Sequence, residues 1–170
     1  SMENFKTKFE KILQGKFMIR KLPRLEAYVN GKLIPGMAIN EISITRKKPY
    51  QTMMYDLNKN IERATGILIS TPLGSTAWNL SSGGKRMKLN NKRLQLVIRE
   101  PYQGKIYKVN KRQGFLKNDE SFVVKSMTSG TIAFDSTKHD FDFDSNSTIE
   151  IKKSRSIFTI FSAKNAHFTI

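Results

Sequence analysis

Apolar residues recur along this chain in short alternating runs, preceded by one stretch with helical spacing. Phe5, Phe9, Ile12 and Leu13 share a face of a helix predicted over residues 3–14, and Gly15 is its stop. From there the period falls to two. Residues 24–29 alternate, Asn30-Gly31 is a hairpin turn, and residues 32–34 return before Pro35-Gly36 breaks the run. Further strands are predicted over residues 38–45, 50–55, 67–69, 94–98, 105–109, 121–126, 131–134, 141–143, 148–151 and 157–161. A second, short helix is predicted over residues 76–80. Many short strands with turns between them predict a mostly-β (α+β) fold. The architecture expected is a two-layer sandwich-like domain with an N-terminal helix and one short internal helix.

Composition narrows the class without naming a function. A chain of 170 residues is one domain able to bury its own core, and 38% hydrophobic with 10% aromatic residues separates it from disordered chains. No internal repeat or linker divides it. Ser1-Met2 resembles the scar of a cleaved tag, which leaves residues 3–170 as the domain. There is no cysteine, so disulfide scaffolds, thiolate metal sites and cysteine nucleophiles are excluded. That composition fits a reducing compartment; the cytoplasm is expected, with the mitochondrial matrix as the alternative. No apolar run approaches a membrane span, so no membrane partner is expected. The formal net charge of +16 predicts attraction to polyanions but does not say which.

The chemical signal is concentrated in residues 66–84. An apolar run, Ile67 to Ile69, opens into Ser70-Thr71-Pro72-Leu73-Gly74-Ser75-Thr76-Ala77-Trp78. A strand that breaks into small hydroxylated residues and then a helix start exposes backbone N–H groups at one place, which suits phosphate or ribose. The string STPLGSTAW resembles the STPTGSTAY signature of the NAD kinase family. Upstream, Ala38-Ile39-Asn40-Glu41-Ile42 resembles the family's ALNEV motif, and Phe134-Asp135-Ser136 sits where the family shows a V-D-G turn. The resemblance covers most of the chain, but only as the second, β-rich domain of a two-domain enzyme. It implies that Asn40, Glu41, Arg63, Ser75, Thr76, Ala77, Trp78 and Ser81 bind NAD. It also implies ATP and Mg2+ in the full enzyme, NADP as product, and homo-oligomerisation through this domain.

The departures matter as much. Thr65 stands where the family commonly has an Asp expected to touch substrate. Trp78 stands for Tyr, keeping a stacking face and losing the hydroxyl. The family's GGDGT motif, which clamps ATP and supplies the catalytic Asp, is absent, since Gly83-Gly84 is followed by Lys85. No catalytic residue is therefore expected here. Phosphoryl transfer to a ribose hydroxyl needs positioning, charge neutralisation and a carboxylate base. The residues here supply positioning: Asn40 for an amide or adenine edge, Glu41 for a ribose diol, residues 75–77 for sugar and phosphate.

Several features have plainer readings. Trp78 fits a core residue as well as a stacking platform. Gly83-Gly84 is read as a helix C-cap. Asp140, Asp142 and Asp144 alternate with Phe141 and Phe143, which predicts a strand with its acids in water rather than a metal site. His139 and His167 carry no catalytic role, and Lys47-Lys48 and Lys111-Arg112 are solvated loop charges. The alternative function is a non-enzymatic, basic RNA- or anion-binding β-domain. Nucleic acid is the less expected partner, because the basic residues are not interleaved with aromatics in a recognisable motif.

Overall fold

The computed structural model describes residues 2–48, 50–107, 109, 112–135 and 140–163. Two six-stranded antiparallel sheets face one another. In the first the order is β2 (Lys32–Leu33), β1 (Phe17–Val29), β12 (Thr148–Ala163), β9 (Phe122–Ser126), β4 (Met53–Leu57), β5 (Asn60–Ala64). In the second it is β11 (Asp140–Phe143), β10 (Gly130–Phe134), β3 (Glu41–Thr45), β6 (Gly66–Ser70), β7 (Leu94–Arg99), β8 (Gln113–Leu116). The core lies between them. Leu25, Ala27, Tyr55, Ile149 and Ile151 of the first sheet meet Ile42, Ile44, Ile67, Ile69 and Ile132 of the second, all fully buried. Each such aliphatic side chain contributes about 2 kcal/mol by leaving water. Helix α1 (Met2–Leu13) leads in and touches β12. Its apolar face remains in water, with the rings of Phe5 and Phe9 stacked 5.9 Å apart. No helix among the described residues is long and apolar enough to cross a membrane.

The mostly-β sandwich expected from the alternation is the fold found, while several element boundaries are corrected. Strand β1 begins at Phe17 and runs through Pro23, where the register against β12 shifts. Proline has no N–H to give the ladder, and the irregularity absorbs its loss. The two strands predicted over residues 148–151 and 157–161 are one. In their polar connection Lys152 and Lys153 pair with Glu26 and Leu25 of β1, and Ser154 to Ser156 span the register shift. Strand β5 is absent from the sequence reading because its turn, Asn58-Lys59, lacks glycine. Both turn residues nevertheless take positive φ, +55° and +66°, at about 1 kcal/mol or more for lysine. The strand predicted over residues 105–109 is not one at its described positions, and Ile106 is 83% exposed. The chain leaves β7 at Glu100-Pro101, and β8, also unpredicted, takes the place beside β7. Asp140 and Asp142 face water as expected, and Asp142 pairs with exposed Lys47 at 2.6 Å. His139, His167, Ser136 and Lys111 lie outside the described residues.

Candidate functional site

The site forms where β3 begins. The strand predicted over residues 38–45 starts only at Glu41, because the Asp135 carboxylate competes for the preceding backbone. Its Oδ2 accepts the N–H of Ile39 at 2.6 Å, and its Oδ1 accepts the N–H groups of Asn40 and Glu41 at 2.7 and 3.0 Å. Asp135 itself takes φ +50°, and its own N–H donates to Glu41 O at 3.0 Å. The Asn40-Glu41 pair is thus held from β10, nearly a hundred residues later in sequence.

The second motif closes on the same spot. Thr71 N–H donates to Asn40 O at 2.8 Å, and its hydroxyl donates to Ile39 O at 2.6 Å while accepting Gly74 N–H at 3.2 Å. Gly74 opens a one-turn 3-10 segment, Gly74–Thr76, packed flat against Asn40. A Cβ at Gly74 would stand 2.1 Å from Asn40 O and 2.4 Å from its carbonyl carbon. Only glycine permits that approach. The helix predicted over residues 76–80 is divided by Ala77, whose ψ of −137° is not helical, and α2 runs Trp78–Ser81. Gly83 and Gly84 form the expected cap, with Gly83 N–H on Leu80 O at 3.0 Å, Gly84 N–H on Asn79 O at 2.9 Å and Gly83 at φ +91°. Gly84 has a further role: a Cβ there would strike Asn79 Oδ1 at 2.3 Å and Gln95 Oε1 at 2.5 Å.

Beneath α2, the outer face of the second sheet carries a polar row. Glu41 is opposite Ser70, and Ser70 is opposite Gln95. Asn79 reaches down from α2 and donates its Nδ2 to Ser70 Oγ at 2.6 Å and Gln95 Oε1 at 2.7 Å. Gln95 also binds the backbone of Lys85 through both ends of its amide. This network was not legible in sequence, since Ser70, Asn79 and Gln95 are unremarkable residues until the register aligns them. Glu41 ends the row. It is 4% exposed, and its Oε2 has no hydrogen-bond partner among the described residues. Burial, with Asp135 nearby as the second cause, pushes its carboxyl up to about 7. A buried carboxylate oxygen without a donor is costly unless something supplies one. A ligand hydroxyl has the right chemistry.

The remaining expected residues divide. Thr76 and Ala77 are half-buried beside Gly74, and Ser81 is exposed at the end of α2. Ser75 is buried, and its hydroxyl is engaged, donating to Pro72 O at 2.7 Å and accepting Met87 N–H at 2.9 Å. Its side chain therefore braces the loop. Trp78 is half-buried, and the Arg99 guanidinium covers one of its ring faces at 4.4 Å. Arg63 stands apart, exposed on β5. Its Nε donates to Thr52 Oγ1 at 2.6 Å, and its guanidinium lies 5.6 Å from the Tyr102 ring. It lines an open cleft of about 510 Å³ with Arg46, Tyr50 and Tyr102. Among the described residues no group of three or more His, Asp or Glu is placed to hold a metal ion.

The chain is similar to known proteins throughout this arrangement. It is 26% identical over 173 residues to a probable NADH kinase of Oryza sativa subsp. japonica, covering 95% of this chain and 53% of that protein. It is 33% identical over 87 residues to an NAD kinase of Methanothermobacter thermautotrophicus, covering 48% of this chain and 30% of that one. The chain thus spans about half, or less, of the length of these relatives. Its fold matches an NAD kinase from Archaeoglobus fulgidus in complex with ATP, with TM-score 0.78 at 21% identity, covering 96% of this chain and 63% of that one. It equally matches yeast NADH kinase complexed with NADH, with TM-score 0.78 at 18% identity, covering 98% and 52%. The family model for the ATP-NAD kinase C-terminal domain matches residues 14–163, a span that holds both motifs meeting at Asn40, and the chain belongs to that family.

Proposed function

We propose that this chain is the dinucleotide-binding domain of an ATP-dependent NAD kinase, which transfers a phosphoryl group to the 2′-hydroxyl of the adenosine ribose of NAD to give NADP. The observation that carries this reading is the buried Glu41 carboxylate, one oxygen unpartnered among the described residues, fixed beside Asn40 where the Gly74 turn packs. A ribose hydroxyl donating to Glu41 satisfies that oxygen, and Asn40 offers a donor and an acceptor to a base or amide edge. Thr76 and Ala77 follow Gly74 in the turn packed on Asn40, Trp78 and Ser81 belong to this reading through the resemblance, and Ser75 holds its loop. Arg63, in its separate cleft, and homo-oligomerisation belong to this reading through the family resemblance alone. ATP and Mg2+ are reactants of the whole enzyme. This domain contributes positioning, and no step of the transfer is assigned to its side chains.

Isothermal titration calorimetry with NAD and NADP tests the reading. Binding that Glu41→Gln and Asn40→Ala both weaken supports it. This chain alone, assayed with NAD, ATP and magnesium, is expected to form no NADP. No heat with either dinucleotide at millimolar levels, together with salt-sensitive RNA binding, would instead favour a basic nucleic-acid-binding domain, for which the net charge of +16 is the motive.

A further inference from the structure

After α2 the chain runs through an irregular loop, residues 85–93, that neither motif includes. Five of its nine residues are Lys or Arg and none is acidic. Its backbone is nevertheless tied down. Gln95 accepts Lys85 N–H at 2.8 Å and donates to Lys85 O at 3.2 Å, and Ser75 Oγ accepts Met87 N–H at 2.9 Å. Asn91 N–H donates to Lys88 O at 2.9 Å, and Lys153 of β12 donates to Lys92 O. Lys85, Arg86, Lys88, Lys92 and Arg93 all remain exposed. Among the described residues no acid forms an ion pair with Lys85, Lys88, Lys92 or Arg93.

The anchors place this charge beside the site. Ser75 follows Gly74, which packs on Asn40, and Gln95 belongs to the polar row that ends at Glu41. Two strand spacings, about 10 Å, separate Gln95 from Glu41. That is about the distance over which charges still act at 0.1 M salt. Cations on a loop tied there attract the phosphates of a ligand whose ribose sits at Glu41. Solvation alone is a poor account of them. Like charges on neighbouring residues repel, and a backbone pinned at Ser75, Gln95 and Lys153 keeps them from spreading apart, whereas an anion relieves that repulsion. Nucleic acid is the weaker occupant, because the loop holds no aromatic residue for an unpaired base to stack on.

We propose that loop 85–93 is an anion-binding strip whose cations, Lys85, Arg86 and Lys88 foremost, take the phosphate groups of the dinucleotide. The inference rests on the dinucleotide reading above. Calorimetry with NAD on the 170-residue protein, in about 0.1 M and about 1 M salt, tests it. Wild-type affinity should fall about tenfold or more between those salts. The triple variant Lys85→Gln, Arg86→Gln, Lys88→Gln should bind NAD about tenfold or more weakly at the lower salt, the loss expected when a hydrogen bond to a charged group is removed. It should also lose most of the salt dependence, which a merely structural loop would not control. Its melting temperature should stay within about 2 °C, because the three residues are exposed. Lys88→Gln alone, a milder change, should move affinity and salt dependence the same way. Lys85→Arg with Lys88→Arg keeps the charge and should keep the affinity. Lys6→Gln, Lys8→Gln and Lys11→Gln together remove the same charge from α1 and should leave NAD binding unchanged; an equal loss there would reduce the effect to net charge and overturn the inference. The loop triple variant binding NAD within about twofold of wild type, while Glu41→Gln weakens it, overturns this inference and leaves the dinucleotide reading intact, and loss of RNA binding in that variant would then mark a nucleic-acid surface. Absence of NAD binding by the wild-type protein overturns both.

Discussion

Replacing Asp135 by alanine should unfasten the site and destabilise the domain together. The carboxylate receives three backbone N–H groups, from Ile39, Asn40 and Glu41, at 2.6 to 3.0 Å. An orphaned donor in a part-buried place costs about 1 to 3 kcal/mol, less where water reaches it. For three donors, partly rehydrated, about 3 to 5 kcal/mol is expected, a large share of the about 5 to 15 kcal/mol that a domain commands. At this chain length each kcal/mol moves the melting temperature by about 2 to 4 °C, so the midpoint should fall by about 10 °C. Asp135→Asn is the sharper control. It keeps the shape, but an amide nitrogen replaces one oxygen, so an N–H must face an N–H. It should cost about 2 to 3 kcal/mol. It also removes the charge that is the second cause of the raised Glu41 carboxyl, so that group should titrate lower than in wild type. Thermal melts followed by far-UV circular dichroism, with NAD calorimetry on the folded variants, are the assays. An Asp135→Ala protein melting within about 2 °C of wild type would show that these three hydrogen bonds do not hold Asn40 and Glu41 in place.

Gly74→Ala should cost about 3 kcal/mol or more and weaken NAD binding, because the added methyl meets the Asn40 backbone at 2.1 Å and backbone cannot rotate aside; a neutral effect in a denaturant melt would refute the close approach. Glu41 sets a pH dependence of definite sign. Its carboxyl is pushed up to about 7 from 4.5, so between those values the folded chain holds a proton that the unfolded chain has released. Stability should therefore fall as pH rises from 4.5 to 7, by up to about 3 kcal/mol, and level off above. Urea melts across that range should show the slope in wild type and lose it in Glu41→Gln. A ribose hydroxyl donating to Glu41 favours the ionised form, so NAD binding near pH 7 should release a proton, read as buffer-dependent heat in calorimetry and absent from Glu41→Gln.

The alternation of residues 122–126 and 130–134 reported their strands because one face of each is buried and the other is not, and that pattern is local. Asn30-Gly31 declared its turn for a similar reason, since its residues tolerate positive φ at little cost. The motif strings at residues 38–42 and 70–78 were legible as chemistry, and with them the family. What the sequence could not disclose depends on partners distant along the chain. Lys152 and Lys153 extend because β1 pairs with them, Asn58-Lys59 turns at a cost that strand pairing repays, and residues 105–107 and 109 alternate without a strand to join. The site divides in the same way. Asn40 and Glu41 were readable as candidate ligand contacts from their motif. Only the fold decided that Gly74 packs on Asn40, that Asp135 holds the backbone of Ile39, Asn40 and Glu41, that Ser75 turns its hydroxyl inward, and that Arg99 occupies a face of Trp78. Residue type and spacing determine which chemistry is on hand. Sheet register and close packing determine which oxygen is buried without a partner, because both are relations between segments that the linear order leaves far apart.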